Sequence, residues 1–129
     1  MVEATDLGAI ETTAATKKVW KHHIDAWGAG DLDEIMKDYS EDSIFVGNSE
    51  VYKGIDAIRG VFARLFEIFG NGENDIDPEV IRKELIYITW NFTPTGDVSY
   101  FGTDSFIVEN GVITYQTVAS PLYEKYPIG

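Results

Sequence analysis

The chain has no cysteine. It therefore has no disulfide framework, no thiolate nucleophile and no cysteine-based zinc site, which suits a reducing cytosol. Positive charge is also scarce, with 10 lysines and arginines against 22 aspartates and glutamates, a formal net charge of -12. A surface of that sign repels nucleic acid phosphates and anionic membranes, so neither is expected as a partner. No apolar run approaches the length needed to cross a bilayer, and the opening MVEATDLGAIETTAATKK lacks the basic-then-apolar order of a signal peptide. The expected location is cytoplasmic. Internal repeats and low-complexity tracts are missing as well. What remains is enough for one core: residues 1–129 are expected to form a single domain, with residues 1–11 as a loose N-terminal arm.

Periodicity divides the chain into helices first and strands afterwards. Thr13, Thr16, Trp20, His23, Ile24 and Trp27 recur at helical spacing between about Thr12 and Trp27, which puts two indoles and an imidazole on one inner face. A second, short helix fits Leu32 to Tyr39, with Asp31 as N-cap and Glu34 three residues on, as in a capping box. Ser43 to Val46 reads as a short strand. Beyond Lys53-Gly54, the stripe of Ile58, Phe62, Leu65, Phe66 and Phe69 marks a third helix. The polar stretch Asn71 to Pro78 reads as a connection. The period then changes to two, with β segments at Val80 to Phe92, Val98 to Glu109 and Val112 to Ser120. Thr93 to Asp97 and Asn110-Gly111 supply the turns, the latter a strong hairpin signal. This order predicts an α+β domain with helices packed on one face of a curved sheet.

The Gly28-Ala29-Gly30 triplet invites a nucleotide-loop reading, which its surroundings exclude. A dinucleotide fingerprint needs a preceding strand and a third glycine three residues after the second. Here a helix precedes Gly28, and Asp33 stands where the third glycine would be. GAGDLD is instead a helix-stop, helix-start signal. No metal is expected. Asp31, Asp33, Asp38, Glu41 and Asp42 lack the spacing of a calcium loop and read as a solvated acidic face. His22 and His23 are adjacent and diverge on a helix, a poor geometry for one zinc ion.

A helix ending in AWGAGDLDEIMKDYSEDSIFV, then YKGIDAIRGVFARLF, then a meander ending in GTDSFIVENGVITYQT, resembles the nuclear transport factor 2-like superfamily. That group includes ketosteroid isomerases and SnoaL-like polyketide cyclases, and the resemblance runs from about Ala14 to Ser120. It implies a cone, with a strongly bent mixed or antiparallel sheet wrapped around three helices, an internal cavity, and pairing into homodimers through the sheet. Residue by residue, the isomerases' oxyanion tyrosine falls on His23, their oxyanion aspartic acid on Asp104 and their catalytic base on Gly47. The essential base is therefore missing. Of the neighbours, only Glu50 is a strong base, in a loop.

On that resemblance His23 and Asp104 form the expected catalytic pair, bonded directly or through water, and titrating as a unit. His23 is otherwise a core histidine. The expected ligand-binding set is Trp20, Trp27, Phe62, Phe66, Trp90, Gly102 and Gln116. Several of these keep two readings. Gln116 either contacts a ligand or holds Asp104, Trp90 is either cavity wall or inter-subunit packing, and Gly102 either makes room for a ligand or marks a bend. The implied function is a cofactor-independent isomerase, cyclase or dehydratase acting on a small apolar or aromatic molecule with an oxygen function. The alternative is a non-catalytic ligand-binding or oligomerisation module of the same fold.

Overall fold

A computed structural model describes residues 7–129. Helix α1 spans Leu7–Ala29. Leu7 to Glu11, expected in a loose arm, are helical and Ala9 is buried, while residues 1–6 lie outside the described residues. The reason is local: LGAIETTAATKK has good helix formers and no interior proline. At the other end the helix closes in a Schellman motif. Gly30 takes φ +63°, its N–H bonds Trp27 O at 3.1 Å, and the N–H of Asp31 bonds Ala26 O at 3.1 Å.

Asp31 then caps α2 (Leu32–Met36), its side chain accepting the Glu34 N–H at 3.1 Å. The reciprocal half of the expected capping box is not made, because the Glu34 carboxylate turns to His22 and Lys37. This helix stops three residues before the expected end at Tyr39. The backbone tightens there into i−3 bonds, Lys37 to Glu34, Asp38 to Ile35 and Tyr39 to Met36, as helix ends commonly do. Strands β1 (Ile44–Val46) and β2 (Val51–Lys53) follow as a small hairpin, and α3 spans Ile55–Phe69.

The remaining strands are β3 (Gly72–Ile76), β4 (Val80–Arg82), β5 (Leu85–Pro94), β6 (Tyr100–Glu109) and β7 (Val112–Ala119), and a last short helix α4 covers Leu122–Lys125. Two expectations change here. The stretch expected as a connection is mostly strand β3, a largely exposed edge strand whose place is set by backbone pairing to β5 and not by side-chain alternation. The segment expected as one strand from Val80 breaks at Lys83, which takes φ +51°, so that β4 folds back on β5. The Asn110-Gly111 turn is as expected, with φ of +52° and +77°, the left-handed pair of a tight hairpin.

Among the described residues, seven strands form one mixed sheet in the order β2-β1-β7-β6-β5-β3, with β4 also on β5 and β1 running parallel to β7. The sheet curls without closing, and a register shift at Ile107/Val108 adds to its bend. Its concave face carries Ile86, Ile88, Trp90 and Phe92 from β5, Gly102, Asp104 and Phe106 from β6, and Gln116 and Val118 from β7. Helices α1 and α3 cover that face, Trp20 and Phe62 being buried against it. This is the α+β cone.

Candidate functional site

Between the helices and the concave face lies a cavity. The empty space, open mouth included, comes to about 440 Å³. The cavity itself measures about 50 Å³, so an occupant must be small. Trp20, His23 and Trp27 enter from α1, Phe62, Leu65 and Phe69 from α3, Asn74 and Ile76 from β3, and Tyr123 from α4. From the sheet come Ile88, Trp90, Asp104, Phe106 and Gln116. The wall is mainly aromatic, with a few polar groups.

Both carboxylate oxygens of Asp104 are hydrogen-bonded. Trp90 Nε1 donates to its Oδ1 at 2.9 Å, and Gln116 Nε2 donates to its Oδ2 at 3.1 Å. Gln116 Oε1 in turn accepts from the Tyr39 hydroxyl. Burial pushes the Asp104 carboxyl up to about 6, against the lowering effect of the Trp90 and Gln116 hydrogen bonds. The side chain stays only partly accessible, and it lines the cavity. Tyr123 lies nearby, its phenol held protonated by burial and by the Asp104 charge.

Gly102 explains how Trp90 reaches Asp104. The two residues are paired across β5 and β6, and a Cβ on Gly102 would fall 2.1 Å from Cζ2 of Trp90. The missing side chain makes room for that indole, not for a ligand or a bulge, and Gly102 does not line the cavity. Phe66 is also off the wall. It stacks on Trp27 at 5.0 Å between ring centres and so supports a lining residue from behind.

His23 and Asp104 line one cavity, yet no hydrogen bond joins them: both Asp104 oxygens are engaged by Trp90 and Gln116. His23 is 4% exposed, wrapped by Trp20, Tyr39, Phe62 and Phe106. Among the described residues its Nδ1 has no hydrogen-bond partner, and its nearest charge is Asp38 Oδ2 at 3.6 Å. Asp38 was expected on a solvated face. It is instead 5% exposed, its backbone carbonyl accepts the Ile113 N–H at 2.8 Å, and its carboxylate grips His22 Nδ1 at 2.8 and 2.9 Å. Among the described residues no cluster of side chains has the make-up of a metal site.

Gly47, where the resemblance puts the isomerase base, sits in the β1–β2 turn, with its N–H on Glu50 O at 2.9 Å. That turn is tied to Ser120 O by Asn48 Nδ2 at 2.9 Å and borders a separate small cleft with Glu50 and Tyr52. None of Gly47 to Glu50 reaches the main cavity.

Sequence reasoning missed Tyr39, Asn74, Ile76 and Tyr123. Asn74 and Ile76 lie in a segment too polar and too short of alternation to read as a strand. Tyr123 depends on α4 docking, which Asp97 secures by accepting from Lys125 Nζ at 2.8 Å, Tyr126 Oη at 2.9 Å and Tyr100 Oη at 3.2 Å. The Lys125 ammonium, together with the Val98 N–H, holds the Asp97 carboxyl well below the usual range. No local pattern announces such a latch.

Comparison with known proteins agrees with this architecture. The SnoaL-like domain family matches residues 20–116. Solved structures share the fold at low identity. A candidate SnoaL-like polyketide cyclase from a Jannaschia species is 16% identical, with a TM-score of 0.73 over 88% of this chain and 90% of that one. A candidate ketosteroid isomerase from Kribbella flavida is 17% identical, with a TM-score of 0.69 over 84% and 79%. A nuclear transport factor 2-like protein of unknown function from Mesorhizobium loti is 12% identical, with a TM-score of 0.75 over 84% and 92%. No curated protein matches. With three quarters of its length covered by one family pattern, and with its cone-shaped fold shared with these structures, the chain belongs to the SnoaL-like domain family.

Proposed function

We propose that the protein is a cofactor-independent enzyme that moves a proton within a small, largely apolar molecule bearing a carbonyl or hydroxyl oxygen. One observation carries this reading: a histidine and a carboxyl group whose pKa is raised to about 6 line the same aromatic cavity. In this scheme His23 takes a proton from the carbon next to a carbonyl. Negative charge grows on the substrate oxygen, and the Asp104 carboxyl in its protonated form, populated below about pH 6, donates a hydrogen bond to it together with the Tyr123 hydroxyl. His23 then returns the proton at another atom, which completes an isomerisation, or helps a β-hydroxyl depart as water. Trp20, Trp27, Phe62 and Trp90 supply the apolar surface that holds the ring of the substrate. Gln116 and Trp90 act on Asp104, holding it in place.

Turnover of a panel of cyclic enones and β-hydroxy-ketones by the wild type, Asp104→Asn and His23→Gln tests the proposal. A substrate whose turnover falls about 10²-fold or more in both variants supports it, and full rates in both sink it. Gly47, outside the cavity, favours a second reading in which the pocket only binds. Saturable quenching of Trp20 and Trp27 fluorescence with no turnover of the same compound would select it. The chain is taken as a homodimer through the sheet, because Leu85, Tyr87, Phe101 and Tyr115 stand 41–53% exposed on its convex face.

A further inference from the structure

The carboxylate placed to orient His23 is not Asp104. The geometry points to Asp38 as the positioning residue that fixes the His23 tautomer, with His22 as the solvent-side cation paired with Asp38. This assignment rests on the proton-transfer reading of the cavity.

Two adjacent histidines flank one buried carboxylate. His22 Nδ1 lies 2.8 Å from Asp38 Oδ1 and 2.9 Å from Oδ2, and its Nε2 lies 2.9 Å from Glu34 Oε1. An imidazole that faces carboxylates with both nitrogens donates from both, which makes it a cation. Hydrogen bonding to Glu34 and then to Asp38 accordingly raises the His22 pKa. The His22 side chain is 36% exposed, whereas those of Asp38 and His23 are 8% and 5% exposed. The row therefore runs from the surface, through a buried anion, to a ring on the cavity wall.

Each member has a job in that order. An unpaired carboxylate at the Asp38 position would be costly to bury, and His22 supplies the opposite charge. The 3.6 Å between Asp38 Oδ2 and His23 Nδ1 exceeds a hydrogen bond, but among the described residues that nitrogen has no hydrogen-bond partner, and the Asp38 carboxylate is the anion that faces it. A carboxylate is an acceptor only, so it selects the His23 ring with hydrogen on Nδ1. The free lone pair then belongs to Nε2, on the ring edge away from Asp38, which is itself absent from the wall that His23 lines. When Nε2 takes the substrate proton, the ring becomes an imidazolium, Asp38 keeps its negative charge, and the same proton leaves from Nε2 to the product.

Other charged and titratable groups around the pair leave this assignment intact. Lys37 is engaged by Glu34, and Glu79 accepts from Trp20 Nε1. Tyr39 donates to Gln116, Asp104 is bonded to Trp90 and Gln116, and Tyr123 faces the cavity. From α3 the uncharged Phe62 packs edge-on against the ring.

Nitrogen-15 NMR of the histidine side chains tests this directly, since the chain has two histidines and His22→Gln assigns them. In the wild type, at a pH where the His23 ring is neutral, the proton is expected on Nδ1. In Asp38→Asn the amide can donate to Nδ1, and the ring is expected to switch to the Nε2–H form. With a substrate in hand, Asp38→Asn should also lose about 10²-fold or more in kcat with little change in KM. A wild-type ring carrying its proton on Nε2, or a folded Asp38→Asn with an unchanged tautomer, overturns the inference. The wild-type spectrum decides alone if that variant does not fold. The tautomer needs no turnover, so a protein with the Asp38-dependent tautomer and no activity would refute the enzyme reading and leave this one standing.

Discussion

Replacing Asp104 with asparagine removes a charge that the fold holds against its own burial. The carboxyl titrates at about 6 in the folded protein, against 3.8 for an unperturbed aspartate. A rise of that size corresponds to ~3 kcal/mol. The sign follows from proton binding: because the folded pKa is the higher, the folded state binds more protons between the two values, and stability falls as pH rises through that window. The contribution is fully present below about pH 3.8, is lost as pH rises through about 6, and is gone near pH 7. Asparagine has no such dependence. Urea unfolding of both proteins between pH 4 and 7.5 should therefore give a difference that changes by about 2–3 kcal/mol, with the wild type losing ground at the alkaline end. Taking the difference cancels His22 and the other titrating groups. A difference that stays flat within about 0.5 kcal/mol would show that Asp104 is not held in an environment hostile to its charge, and the neutral-acid role would fall with it.

Gly102→Ala should cost about 1–3 kcal/mol, because its Cβ would overlap Trp90 and the indole must move away from Asp104; unfolding midpoints measure the cost, and tryptophan emission should shift. Asp31→Ala removes the cap of α2 and should cost about 1 kcal/mol, read as a drop in melting temperature with the cavity unchanged. Tyr115→Lys puts a charge on the convex face and should turn a dimer into a monomer in sedimentation, while an unchanged sedimentation coefficient would move the interface elsewhere.

The sequence alone settled those features that depend on neighbours along the chain. Helix α1 and its inner face follow from apolar spacing, the GAGDLD corner follows from what glycine and aspartate do at helix ends, and the β6–β7 hairpin follows from Asn-Gly. Period two on β6 puts Asp104 on the same face as Gly102 and Phe106, and that face is the concave one. Edge strand β3 was not legible, since its polar residues are held by the backbone of β5, 16 to 22 residues away in the register pairs Asp75 to Asn91 through Gly72 to Pro94. Nor was the burial of Asp38: a run of acidic residues reads as solvated until β7 comes to lie against it and Ile113 bonds its carbonyl. The role of Gly102 likewise needed the opposite strand, because only there does Trp90 lie over it. Tertiary structure decided which carboxylate meets which ring, since those partners come from segments far apart in sequence and no local preference encodes their distance.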